Sequence, residues 1–288
     1  MVKPESSQPL IVYTSWHYQK PNAVMYLSTL YYYPVKSLAG IQAGEANIGS
    51  GGFMHDRRWM LVDENLTFVT QRQYPHLARV TVLPTPDGWL VQAPGQPDLR
   101  LRSPPEEAPR LVVNVWRDRV VSCTAGQKVA DWFSRYIGVD GVQLVYMPET
   151  TTRRVDQAYA PAGEQVSFAD GFPFLLISQA SLDDLNDRMQ KPLPMSRFRP
   201  NLVVQGSAAY AEDDWQRIRI GELTFRVVKP CSRCKVTTVD PFTAQTGKEP
   251  LQTLASYRSR DNEVWFGTNL VHDGRGTLHV GDAVEVLA

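Results

Sequence analysis

Short runs of β-branched, aromatic and aliphatic residues, each closed by Pro, Gly or Asp, recur along this chain from Val24 onward. No other feature restricts the fold as much, because such punctuated runs read as strands. The stretch VMYLSTLYYYPV opens the series and is ended by Pro34. Further strands are predicted at 58–62 and 66–70, a hairpin around Asp63-Glu64-Asn65, and at 78–83, 89–93, 99–102, 111–116 and 120–124. A helical period appears over 127–137, where Val129, Trp132, Phe133 and Ile137 share a face and Gly138 supplies the stop. Residues 150–173 are loop-rich and mark a junction between two halves. Beyond it, Ser181-Leu-Asp-Asp184 has the form of a capping box for a helix over 181–190, and 249–257 reads as a third helix with Pro250 in its first turn. Strands are predicted at 202–205, 218–220, 223–229, 236–239, 264–267 and 278–287. The fold class is therefore α+β, mostly β and barrel-like, with few helices. Two β-rich halves, 24–148 and 149–288, follow a variable extension of residues 1–23, in which 10–13 adds at most an edge strand.

Charge narrows the function. Lys plus Arg equals Asp plus Glu, 30 against 30, so no global field draws nucleic acid or an anionic membrane, and any anion must be held locally. The three cysteines are too few for a disulfide framework in 288 residues and fit a reducing compartment. They are also too few for an ordinary iron–sulfur cluster. Neither a Gly-x-Gly-x-x-Gly nor a Cys-x-x-Cys-His site is present, so redox chemistry here would draw its electrons from another polypeptide. No apolar run reaches signal-peptide or membrane-span length, which makes a cytoplasmic protein without a membrane span the expectation.

Chemistry concentrates in KPCSRCKVTTVDPFTAQTGKEPLQTLASYR, residues 229–258. Cys231 and Cys234 lie among Lys229, Arg233 and Lys235, and nearby cations favour the thiolate, the form that attacks electrophiles and binds metals. A strand over 236–239 argues against a thioredoxin-type pair, in which Cys-x-x-Cys opens a helix. A structural zinc site would need two more ligands, and His272 and His279 are wrongly spaced for it. One buried and one idle cysteine remains open on spacing alone.

Other segments offer anion contacts. Tyr33-Pro-Val-Lys-Ser37 places Lys36 and Ser37 at a strand-to-loop edge, where a phosphate can dock or a lysine can simply be solvated. In the run Gly49-Ser-Gly-Gly-Phe-Met-His-Asp-Arg-Arg-Trp59, glycines let backbone N–H groups approach an anion, and Arg57, with Arg58 second, supplies a planar fork. The same run also fits a plain hairpin loop. Phe198-Arg-Pro-Asn201 brings Arg199 and Asn201 to the start of a strand, although Arg199 could instead pair with Asp213 or Asp214. Cys123 reads as a core residue, and of the five histidines only His55, beside Asp56-Arg57, is worth testing.

The order of these segments, Tyr-Pro-Val-Lys-Ser, Asp-Arg, Phe-Arg-Pro-Asn, Cys-x-x-Cys-x-x-Thr-Thr-Val-Asp-Pro and Glu-Pro-Leu-x-Thr-Leu, resembles the MOSC domain family. The resemblance is to the group of the mitochondrial amidoxime-reducing component and its bacterial relatives, from about Met25 to the carboxyl terminus. It implies a MOSC amino-terminal β-rich domain over 24–148 and a MOSC domain over 149–288. It further implies a molybdenum–pterin cofactor with Cys234 as metal ligand, and Lys36, Ser37, Arg57, Arg199, Asn201 and Cys231 as cofactor contacts. Asp240 would orient substrate or solvent, or merely end a strand. The implied activity is reduction of N-hydroxylated small molecules such as amidoximes and hydroxylamines by a separate electron-donor protein. Compared with the family, the chain reads as the cofactor-only form, without a membrane anchor or fused ferredoxin domain. A carrier that holds a persulfide on Cys234 is the alternative, although no lysine-bearing pyridoxal phosphate domain accompanies the chain to load it.

Overall fold

The computed structural model describes residues 24–160 and 163–288. The extension 1–23, with the strand expected at 10–13, lies outside the described residues. The architecture is mostly β, with three α-helices among them, Gln127–Ile137, Gln179–Asp187 and Leu251–Ala255.

A nine-stranded sheet forms the frame of the site. Its order runs Val284–Val286, Arg217–Ile220, Leu223–Ser232, Glu263–His272, Phe174–Ser178, Leu202–Gln205, Tyr26–Tyr32 and Ile41–Ala43, with Ser259–Arg260 paired to Glu263–His272. The opening strand Tyr26–Tyr32 thus pairs antiparallel with Leu202–Gln205, Leu30 opposite Leu202. That pairing brings the Lys36 segment and the Arg199 segment together, although they are far apart in the chain. Phe174–Ser178 and Leu202–Gln205 run parallel, and helix Gln179–Asp187 makes the crossover such a pair requires. Alternate residues of these strands, including Leu27, Phe174, Leu202, Phe225 and Leu270, bury into one core.

The rest of the first half gathers around different cores. Trp59–Val62, Gln143–Tyr146, Asp118–Thr124 and Arg110–Val115 form a four-stranded sheet, and Thr81–Thr85, Gly88–Gln92 and Leu99–Leu101 a three-stranded one. Helix Gln127–Ile137 buries Trp132, Phe133 and Ile137 against Trp59, Leu61 and Leu144, and ends at Gly138 with φ of 77°, as its pattern predicts. Cys123 is 3% exposed in this half, as expected.

Several local expectations need correction. Residues 236–239 are not a strand: Lys235–Thr238 forms a 3-10 turn, in which the Thr237 and Thr238 hydroxyls donate to the carbonyls of Cys234 and Lys235 at 3.0 and 2.8 Å. Threonine's capacity for such local bonds has outweighed its β preference. The capping residue of the second helix is Ser178, whose Oγ accepts the Ser181 N–H at 3.1 Å, so that helix starts earlier than 181. Ser181 instead turns its hydroxyl to the buried Glu212 at 2.7 Å. Residues 66–70 make two isolated bridges, Phe68 to Val62 and Thr67 to Asn114, rather than a ladder. The stretch 278–287 splits into Gly276–His279 and Val284–Val286, which join different sheets, with Gly281 at φ 99° between them.

Candidate functional site

Strand Leu223–Ser232 carries Cys231 to its end, with one irregularity in its pairing to Glu263–His272 before the cysteine and a second at the cysteine itself. Arg233 N–H then donates to Val264 O at 2.7 Å, and the 3-10 turn begins, leaving Cys234 exposed in extended conformation at its start. Cys231 is half-buried, and its sulfur accepts from Arg233 Nη1 at 3.0 Å. The same guanidinium donates to Phe198 O at 2.5 Å, while its buried Nε has no partner. The two thiols thus differ in exposure, and Arg233 engages only Cys231.

The facing wall comes from three distant segments. Lys36 is 6% exposed, donates to Phe168 O at 2.8 Å and pairs with Asp170. Burial pushes its pKa down, and the Asp170 carboxylate opposes that shift. The Tyr33 ring lies between two guanidiniums, Arg57 at 4.1 Å and Arg199 at 4.2 Å from its centroid. Arg57 Nη1 also pairs with the buried Asp56 at 2.6 Å and donates to Asn201 Oδ1 at 3.0 Å. Arg199 donates to Leu38 O at 2.6 Å, and burial lowers its pKa to about 10. Ser37, Arg57 and Arg199 all adopt positive φ, 69°, 49° and 55°. Three non-glycine residues in this sparsely populated region at one place are backbone strain of the kind that gathers at ligand sites.

Lys36, Ser37, Arg57, Arg199, Asn201, Cys231 and Cys234 all line one cleft. Asp240 does not line it. Its carboxylate pairs with Arg197 at 2.8 Å and accepts the N–H groups of Phe242 and Thr243 at 3.0 and 2.9 Å, so it secures the turn after the cysteines. We expect Asp240→Asn to lower stability by about 1 kcal/mol in urea denaturation, through the loss of charge on these bonds. Arg58 turns from the cleft to Met147 O and Glu149, and His55 packs edge-on against Trp89 with 5.5 Å between ring centroids.

The cleft holds residues that sequence reasoning passed over. Arg72 stands at its wall, exposed, with its guanidinium 4.8 Å from the Trp116 ring centroid. Asp170 lines it as well, beside Arg233, which the sequence already sets among the cations around the cysteines. Arg153, 6% exposed, donates to Ser167 O, Ala169 O and Asp170 O at 2.8, 2.5 and 3.1 Å and pairs with Asp118 at 2.7 Å, fixing the loop that presents Asp170. A lone arginine in 70–75 or in a loop-rich stretch carries no pattern; only the pairing of distant segments reveals these roles.

Among the described residues, Arg72, Arg199 and Arg233 have no carboxylate partner within ion-pair distance. Three uncompensated guanidiniums around an exposed thiol suit a ligand that carries several negative charges and a soft metal. No group of three or more His, Cys, Asp or Glu that could hold a metal occurs among the described residues. No helix among them is long and apolar enough to cross a membrane.

Residues 24–140 match the MOSC N-terminal beta barrel domain and residues 163–285 the MOSC domain. The mouse mitochondrial amidoxime-reducing component 1 is 34% identical over 278 residues, spanning 91% of this chain and 82% of that protein. The human protein of the same name is also 34% identical, over 280 residues with the same coverage. A rice molybdenum cofactor sulfurase is 32% identical over 275 residues, which are 88% of this chain but 33% of the rice protein. The chain belongs to the MOSC family, in the group that contains the mitochondrial amidoxime-reducing components.

Proposed function

We propose that this protein holds a molybdenum–pterin cofactor in the Cys234 cleft and reduces N-hydroxylated small molecules, amidoximes or hydroxylamines, with electrons from a separate donor protein. The observation that carries this reading is the exposed Cys234 thiol in one cleft with the three unpaired guanidiniums of Arg72, Arg199 and Arg233. The relatives named as amidoxime-reducing components support the substrate class.

When bound, the cofactor would supply the two-electron chemistry that removes oxygen from the substrate nitrogen. The chain supplies the rest. Cys234 offers a soft sulfur donor that no hydrogen bond engages among the described residues. The three guanidiniums balance the anionic phosphate and pterin, and Ser37 offers a hydroxyl beside them. Asn201 acts one step back: its Oδ1 accepts from Arg57 and its Nδ2 donates to Tyr31 O at 3.1 Å, which aims the Arg57 fork. Lys36, held by Phe168 O and Asp170, contributes positive potential at the wall.

Arg72→Gln isolates the anion-binding part of this reading, because Arg72 is exposed and makes no ion pair among the described residues. The cofactor retained after gel filtration should fall by about tenfold, the worth of one charge-assisted hydrogen bond, while the denaturation midpoint stays unchanged. Equal retention would remove Arg72 from the site. The activity itself is tested by benzamidoxime turnover with a chemical reductant. Benzamidine formation is expected; no turnover together with a cyanide-releasable sulfur on Cys234 would favour a persulfide carrier.

A further inference from the structure

The glycine-rich segment 49–52 reads in sequence as an anion cradle, yet none of its residues lines the cysteine cleft. They surround a separate cavity of about 370 Å³, together with His55, Arg58, Glu149, Ser167 and Arg275. Two polar atoms are stranded in this wall. Ser167 is 2% exposed and its Oγ has no hydrogen-bond partner among the described residues; Arg58, its side chain 12% exposed, has a buried Nε that likewise lacks one. Burying such donors unsatisfied is costly, and their coincidence in one cavity marks a missing acceptor.

The charges point the same way. Arg275 is exposed and has no carboxylate partner among the described residues, so two guanidiniums face the cavity. Of the carboxylates there, Asp56 is 1% exposed and already committed to Arg57 and to the Tyr33 N–H. Glu149 sits on the rim, 77% exposed, 3.3 Å from Arg58, where an incoming anion can displace it. The glycines allow the enclosure: a Cβ on Gly51 would meet Ser167 N at 3.4 Å, and one on Gly52 would meet Pro173 O at 2.9 Å.

We propose that loop 49–52 with Arg58, Ser167 and Arg275 forms a second binding site, for a single tetrahedral oxyanion of the phosphate class, separate from the Cys234 cleft. The two sites share a wall. Phe168 N–H donates to Arg57 O at 3.0 Å, and Phe168 O accepts from Lys36, so an anion on Ser167 and Arg58 braces the backbone that carries Arg57 and Lys36. Occupancy should therefore stiffen one side of the cofactor cleft.

The test is titration of inorganic phosphate into the full chain, following the amide signals of Gly49, Gly51 and Gly52 by two-dimensional NMR. Saturable shifts are expected, with affinity about tenfold weaker in Arg275→Gln and Ser167→Ala, one charge-assisted or buried hydrogen bond each. Glu149→Gln should bind more tightly, because it removes the competing carboxylate. Arg72→Gln, in the other cleft, should bind as the wild type does. Absence of saturable shifts up to about 20 mM phosphate, an affinity too weak to count as a site, would overturn the proposal. So would a loss of the shifts in Arg72→Gln, which would place the phosphate in the cysteine cleft instead.

Discussion

Cys234→Ser is expected to reduce turnover of an N-hydroxylated substrate to background while the protein unfolds at the same denaturant concentration as the wild type. Cys234 is exposed and at the start of a turn held by the Thr237 and Thr238 hydroxyls, which bond to main-chain carbonyls. Serine keeps every one of those bonds. What changes is the donor atom: a hydroxyl is hard and stays protonated, whereas a thiolate matches a soft, sulfur-rich metal environment. Cys231→Ser makes a useful contrast. Cys231 accepts one hydrogen bond from Arg233, and a serine oxygen can accept it too, so its loss of activity should stay within about tenfold. Equal, complete losses in both variants would contradict the assignment of Cys234 as the ligand.

A second large effect is expected in stability. Arg57→Ala should cost roughly 3–5 kcal/mol in urea denaturation, because it leaves Asp56, 1% exposed, as an uncompensated buried carboxylate. Arg57→Lys should recover part of this, since an ammonium can face Asp56 but cannot also fork to Asn201 and stack on Tyr33. The pH dependence follows from Asp56. Burial already holds its carboxyl above the ordinary value, with Arg57 pulling the other way, and the alanine variant removes that pull. A carboxyl with a higher pKa folded than unfolded takes up protons on folding, so its penalty is absent below the unfolded value and grows as pH rises through the interval up to the folded value. The stability gap between variant and wild type should therefore be widest near neutral pH and narrow on acidification. A variant as stable as the wild type, or a gap that widens on acidification, would show that Asp56 does not depend on Arg57. The result also bears on the cofactor: Arg57 both shapes the cleft and faces it, so cofactor loss in Arg57→Ala is ambiguous, which makes Arg72→Gln the cleaner probe.

The sequence exposed the local patterns more clearly than the long-range ones. Helix Gln127–Ile137 and its Gly138 stop follow from one apolar face, and the α+β, mostly β class from the punctuated strand runs. Strand Gln143–Tyr146 is only four residues long and follows a loop, and Phe174–Ser178 is a short apolar run directly after the loop-rich 150–173, so neither stands out by pattern alone. The turn at 235–238 reads as a strand by propensity, because the sequence does not show that the Thr237 and Thr238 hydroxyls bond to nearby carbonyls. In the cleft, residues inside recognisable segments, such as Lys36, Arg199 and Cys234, could be picked out. Arg72, Arg153 and Asp170 could not, because their roles arise only when Tyr26–Tyr32 pairs with Leu202–Gln205 and the 167–170 loop folds over Lys36. Such partnerships leave no spacing signal in one chain.

The central claim is that Cys234 anchors a metal-bearing cofactor, and the most direct measurement is molybdenum and pterin content per chain, made in a host that synthesises the cofactor. We predict about one molybdenum per wild-type chain, by the single cysteine cleft, and in Cys234→Ser either loss of the metal or retained pterin with no turnover. Wild-type protein that purifies without molybdenum or pterin from such a host, or a Cys234→Ser variant that keeps both the metal and full activity, would contradict it.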